Sequence, residues 1–221
     1  MDAGTEQRLR EELVDRHREL VRYGLVVWTA GNVSARVPGS DRMLIKPSGV
    51  DYDDLDADAM IRCDLDGQPV GDQGRSPSSD TAAHAYVYRA MPHVGGVVHT
   101  HSPYACAFAA VRRPVPCVLT GIADEFGGEI PLGPFARIGD DSIGRGIVAT
   151  LEGHRSRAVI MAGHGVFTIG EDPRKAVKAA VLCEDSARAA HLAATLGTPV
   201  PLEPDDIDAL HDRYQHVYGQ R

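Results

Sequence analysis

GGVVHTHSPY, residues 95–104, ends an apolar run with two histidines one residue apart and then offers a serine and a proline. The glycine and valine run reads as a buried strand, and Pro103 suits the first turn of a following helix, YACAFAAV. Side chains alternate along a strand, so His99 and His101 share one face about 7 Å apart while Thr100 points the other way. Both imidazoles can therefore converge on one ion. Zinc takes nitrogen ligands at about 2.0–2.1 Å, and a catalytic zinc keeps one position open for substrate. Two histidines supply half of such a site. The best third ligand is His164, because Gly163 and Gly165 on either side remove bulk and permit unusual backbone angles beside the ion. An isolated H-x-H also occurs as plain polar residues at a strand end, so the flanking context carries the metal reading.

Upstream, Leu9, Leu13, Leu20 and Val21 recur near helical spacing over residues 5–23, with Gly24 placed to stop the helix. NVSARV (32–37) and RMLIK (42–46) read as strands, and AMIRCDLDGQPV (59–70) as a hairpin turning at Asp66 and Gly67. TAAHAYVYRAM is a helix with Ser79 and Asp80 as its capping residues. ADEFGGEIPLGP (123–134) is loop-like, and DSIGRGIVATLEG is helical. AVIMAGHGVFTIG (158–170) reads as two strands around His164, and Asp172, Pro173 and Gly197 bracket a long alanine-rich helix. Strands and helices interleave without a repeat or a domain-splitting linker. The expectation is α/β: one domain, 1–221, an α/β/α sandwich on a mainly antiparallel sheet.

The 221 residues are 43% hydrophobic and 24% charged, a composition that folds into a core. The balance of 23 Lys+Arg against 31 Asp+Glu, with no basic run, argues against a nucleic-acid partner. No signal-like segment or membrane-length apolar run is present, so a cytoplasmic protein is expected. Cys63, Cys106, Cys117 and Cys183 lack C-x-x-C spacing and read as buried thiols. Three short polar stretches can hold an anion: Gly31-Asn32; Lys46 with Ser48 and Gly49; and Ser78-Ser79 at a helix start, where unpaired N–H groups and the helix dipole favour negative charge. His17, His84, His93, His154, His191, His211 and His216 read as surface or packing residues, with His84 a possible core support for the site.

In order, GNVS, IKPSGVDY, PSSDTAAH, GGVVHTHS and GHG resemble the class II aldolase/adducin-head family over about the whole chain, and its sugar-phosphate 4-epimerases above all. The resemblance implies a single α/β/α domain, C4-symmetric homotetramers with active sites between subunits, and a phosphorylated ketose substrate. It implies zinc, with manganese or another divalent ion as substitutes, on His99, His101 and His164, with Asp80 counted in the metal set. Gly31, Asn32, Lys46, Ser48, Gly49, Ser78 and Ser79 match substrate-holding positions. IADEFGGEIP and VYGQ place Asp124 and Tyr218 as the catalytic acid/base pair, Tyr218 reaching a neighbouring subunit; read without the resemblance, they are a loop capping residue and a frayed-end aromatic. The implied reaction interconverts L-ribulose 5-phosphate and D-xylulose 5-phosphate by breaking and remaking C3–C4. The alternative is sugar-phosphate aldol cleavage of the L-fuculose-1-phosphate type, which Asp80 disfavours because those aldolases carry glutamate there. The chain is shorter than the epimerases between about 134 and 158 and again before VYGQ. Ala162 stands where they tend to have a second histidine, and His211 matches a histidine of their C-terminal helix.

Overall fold

The computed structural model describes residues 3–71 and 73–217. Strands β1 (Asn32–Arg36), β2 (Arg42–Ile45), β3 (Ile61–Asp64), β4 (Gly96–Thr100), β5 (Leu132–Gly133), β6 (Ala158–Met161) and β7 (Val166–Gly170) make one sheet in the order β3-β2-β1-β4-β7-β6-β5. Every pairing is antiparallel except β5 with β6. The helices are α1 (Ala3–Arg22), α2 (Thr81–Ala90), α3 (Pro103–Val111), α4 (Thr120–Phe126), α5 (Ser142–Leu151), α6 (Pro173–Leu196) and α7 (Pro204–His216).

The period-2 alternation of the strands divides the core. Met43, Ile45, Val97, Val159 and Phe167 face α2 and α5, whose Ala85, Val87, Ile143 and Ile147 cover them. Val33, Ala35, Leu44 and Val98 face the other way, against Leu13 and Leu20 of α1 and Ala176, Val177 and Ala180 of α6. Ala158, Ile160 and Val166 continue that second face under α3 and α4. Helices thus cover both faces, as the sequence suggests, and each fully buried leucine or isoleucine contributes roughly 1.5–3 kcal/mol.

Three local expectations need correction. The turn at Asp66-Gly67 forms, but its returning arm makes a single bridge, Cys63 to Pro69, flanked by the bonds from Asp64 N–H to the Gln68 carbonyl and from Val70 N–H to the Arg62 carbonyl, both at 2.9 Å. Residues 123–126, expected in a loop, are helical: Ile122, Ala123 and Phe126 bury one face of α4 in the third core cluster, and Gly127 ends it at φ 61°. Asp80 sits at the N-cap of α2 but makes no side-chain cap bond. Its carboxylate is turned to Asn32 instead, and the Thr81 hydroxyl bonds the Ser78 carbonyl at 2.6 Å.

His17, read from sequence as a surface or packing residue, is fully buried and joins α1 to β1. Its Nδ1–H donates to the Leu13 carbonyl at 2.6 Å, and its Nε2 accepts the Val33 N–H at 2.9 Å. Burial pushes its pKa from 6.5 down to about 3. Below about pH 6.5 the unfolded chain takes up a proton here that the folded chain refuses. The stability present above 6.5 is therefore lost by about 1.4 kcal/mol per pH unit until the pH nears 3. Urea unfolding between pH 7 and 4.5 should show a slope to which His17 adds this amount alongside the other buried histidines, and His17→Gln should lower it by that share; equal slopes in the two proteins would show that His17 is not buried neutral.

Candidate metal centre and active site

β4 carries His99, His101 follows it, and the β6–β7 turn brings up His164. One ring nitrogen from each lies within 4.8 Å of the others. His99 Nδ1 is 2.9 Å from the Val166 carbonyl, which can only accept, so Nδ1 holds the proton and Nε2 presents its lone pair. That Nε2 is 2.8 Å from His101 Nε2. Tetrahedral ligation at about 2.0–2.1 Å places nitrogens roughly 3.3 Å apart, so this donor set fits a nitrogen-loving divalent ion with small adjustments. Phe167 stacks on the His99 ring at 4.2 Å and fixes its plane. Burial lowers the pKa of His99 to about 4 and lowers that of His164, so both are neutral, as metal ligands must be.

The two glycines beside His164 play different parts. Gly163 turns the chain at φ 64°. A Cβ on Gly165 would stand 2.6 Å from the Thr100 carbonyl oxygen and 3.1 and 3.2 Å from ring atoms of His101 and His99. Gly165→Ala should therefore displace the histidines and weaken metal binding by roughly 10–100-fold, the usual cost of disturbing the support of ligands. A zinc titration checks it, and unchanged affinity would mean that the turn is not what sets the rings.

Asn32, His99 and Phe167 form one cross-strand row on the face toward α2. The Asn32 amide donates to Ser78 Oγ at 3.0 Å and to Asp80 Oδ2 at 2.9 Å. Asp80 is 5% exposed. Burial works to raise its pKa, but electrostatic interaction with the His99 and His84 imidazoles and the hydrogen bond from the Asn32 amide outweigh it, so the carboxyl lies below its ordinary value. Asp80 is outside the group of mutually close ligand atoms, which holds the three histidines. The structure sets it as an oriented anion beside them.

The stretches expected to hold an anion come together. Ser48 N–H bonds the Ser76 carbonyl, and Ser78 N–H bonds the Lys46 carbonyl, both at 3.0 Å, bringing the stretches that carry Ser48-Gly49 and Ser78-Ser79 side by side. Lys46 is 2% exposed, and its ammonium reaches two carbonyls at 3.4 and 3.5 Å and the face of Tyr52. Burial lowers its pKa. A buried cation so weakly satisfied is suited to an anionic ligand. Tyr52 bonds the Ala30 and Gly31 carbonyls, holding the loop that ends at Asn32. Gly31, at φ 81°, lets this loop press against β4, where a Cβ would lie 2.9 Å from the His99 carbonyl oxygen.

A protein-family model described as Class II Aldolase and Adducin N-terminal domain matches residues 11–191. The chain belongs to this family. It is 37% identical to the L-ribulose-5-phosphate 4-epimerase UlaF of Salmonella paratyphi B, over 96% of each protein. Among solved structures it resembles an L-fuculose 1-phosphate aldolase with a TM-score of 0.86 and 26% identity, covering 97% of this chain and 98% of that one. A second aldolase of that name, from Glaciozyma antarctica, shares the fold with a TM-score of 0.81 at 21% identity over 94% and 82% of the chains. With such relatives the chain is an enzyme of the class II aldolase/epimerase family.

The class II aldolase fold also places the remaining sequence-expected residues. Asp124 lies on α4, half-buried; its carbonyl accepts from His211 Nδ1 at 3.0 Å, and its carboxylate has no partner among the described residues. The neighbouring Glu125 is buried and paired with Lys178 at 2.7 Å, and Lys178 also reaches the Tyr214 hydroxyl at 2.8 Å. Lys178 thus ties α4, α6 and α7 together and steadies the helix that carries Asp124. Tyr218 lies outside the described residues. A cleft of about 440 Å³ lined by His93, His154, Arg157 and Glu171 sits at the far ends of β4 and β7, away from the three histidines. Sequence reasoning passed over Ser34, Tyr52 and Tyr88 and gave His84 only a supporting part. The available signal was His84 falling four residues after Asp80, on the same side of α2.

Proposed function

We propose that the protein is a divalent-metal-dependent L-ribulose-5-phosphate 4-epimerase, with zinc on His99, His101 and His164. The observation that carries this reading is the convergence of three imidazoles, His99, His101 and His164, in a chain that also buries Lys46 and is alike along nearly all its length to an epimerase. One folded domain over 1–221, homotetramers with active sites between subunits, and a cytoplasmic setting belong to the same reading. No helix among the described residues is long and apolar enough to cross a membrane. His101 is exposed, which suits a site completed by another chain.

The C4 hydrogen of a ketopentose phosphate is not next to the carbonyl, so its removal leaves an unstabilised carbanion. Cleavage of C3–C4 avoids this: the C4 hydroxyl loses its proton, the bond breaks, the aldehyde presents its other face, and the bond re-forms with return of a proton. A bound ion would supply Lewis-acid stabilisation of the negative charge developing on the C2 carbonyl oxygen. Lys46, Ser48, Gly49, Ser78 and Ser79 hold the phosphate so that the aldehyde turns without leaving. Asn32 orients Asp80 beside the metal set. Asp124, and Tyr218 from a neighbouring chain, handle the C4-oxygen proton on opposite faces.

The second reading is a sugar-phosphate aldolase, favoured by the likeness to the L-fuculose 1-phosphate aldolase. Purified, zinc-loaded protein supplied with L-ribulose 5-phosphate should form D-xylulose 5-phosphate without accumulating free aldehyde. Accumulation of aldehyde would select the aldolase; no turnover of this substrate would reject the epimerase.

A further inference from the structure

Behind Asp80, on the α2 side of the sheet, lies a buried polar chain that the metal site does not account for. Ser34 Oγ is 2.7 Å from His84 Nδ1 and 2.8 Å from the Tyr88 hydroxyl, and all three residues are fully buried. Two polar atoms at the end of this chain have no partner: His84 Nε2 and Asp80 Oδ1. They belong to residues four apart on one side of α2, and each acts electrostatically on the other.

The direction of the chain follows from where its protons can go. If Ser34 donated to Tyr88, the tyrosine proton would need another acceptor in the core. The one hydrogen bond of that hydroxyl among the described residues is to Ser34, so no such acceptor is at hand. The sense that gives every hydroxyl proton an acceptor is Tyr88 to Ser34 to His84 Nδ1. His84 then carries its own proton on Nε2. In the reverse sense, Nε2 would be a bare lone pair buried close to a carboxylate, which is repulsive.

We infer that His84 is a positioning residue for Asp80: the Tyr88–Ser34 relay fixes its Nε2–H tautomer, and that N–H faces the free Asp80 oxygen. Asn32 hydrogen-bonds one oxygen of the carboxylate, and the His84 N–H, which makes no hydrogen bond to the other, acts on it electrostatically, so the two together favour one orientation of Asp80 beside the three histidines. His84 does not touch substrate; its effect passes through Asp80. The relay spans β1 and α2, which explains why Ser34 and Tyr88 are buried hydroxyls in an otherwise apolar layer.

Two measurements test this. In histidine-selective ¹⁵N spectra of the wild-type protein, His84 should show the Nε2–H tautomer at neutral pH, and Ser34→Ala should turn it into a mixture. In turnover of L-ribulose 5-phosphate, His84→Leu should lower kcat roughly 10–100-fold, with KM and bound metal nearly unchanged, as for other residues that orient a functional group from behind. His84→Gln, which keeps a donor, should recover part of the loss. Because His84→Leu also alters the core, Ser34→Ala, which breaks the relay alone, is measured beside it and should lower kcat in the same sense. The activity arm rests on the epimerase reading; the spectroscopic arm does not. An Nδ1–H tautomer in the wild type, or wild-type kcat in folded His84→Leu, overturns the inference.

Discussion

His101→Ala is expected to lower turnover roughly 10³-fold or more while the protein stays folded. A metal's stabilisation of developing charge is worth several kcal/mol, and each 1.36 kcal/mol is about tenfold in rate. His101 is the cleanest of the three to remove: it is exposed and follows the end of β4, whereas His99 also bonds the Val166 carbonyl and stacks on Phe167. Bound zinc measured after dialysis should fall in parallel with activity, and His164→Ala should behave likewise. Thermal unfolding of the metal-free protein should change little, since the sheet is closed by apolar packing on both faces. Full activity with zinc stripped away would end the metal reading.

Asp124→Asn is expected to suppress 4-epimerisation by roughly 10²–10⁴-fold, the usual worth of a positioned acid or base, with zinc still bound. Epimerisation needs proton transfer on both faces of the aldehyde, whereas cleavage needs it on one. Condensation of dihydroxyacetone with glycolaldehyde phosphate should therefore survive better in this variant and yield mainly one C4 epimer. The Asp124 carboxylate is half-buried and has no partner among the described residues, which leaves it free to exchange a proton. For Tyr218, reaching from a neighbour, mixing Tyr218→Phe chains with His101→Ala chains should restore part of the activity after subunit exchange. Epimerisation within a few-fold of wild type in Asp124→Asn would return this residue to an ordinary helix position and raise the aldolase reading.

Much of the site was legible because its signals are local. Alternation along GVVHTH set His99 and His101 on one face, and the glycines around His164 announced a tight turn beside something bulky. The N-cap at Asp172, whose side chain accepts the Lys175 N–H at 2.7 Å, and Pro173 at the helix start are likewise read from adjacent residues. Residues 123–126 misled because their Gly- and Pro-rich surroundings mask a short helix. Seven residues hardly hold a helix in isolation, and α4 forms because Phe126 and Ile122 are buried by neighbours distant in sequence. Asp80 misled in the opposite way: its cap position was right, but a nearby amide and imidazoles compete for its carboxylate more strongly than two backbone N–H groups do.

Sequence by itself determined the periodicities, the helix ends and the chemical types available: imidazoles for a metal, hydroxyls and a lysine for an anion, carboxylates for proton transfer. Only the tertiary structure decided which of them meet. His164 reaches His99 because β7 pairs with β4, and Asn32 stands beside His99 because β1 takes β4's other edge. His84 reaches Ser34 because α2 packs on that face of the sheet rather than the other. A pattern of residues records which side of its own element each side chain occupies, whereas strand order and face-to-face packing are settled by burial summed over the whole chain.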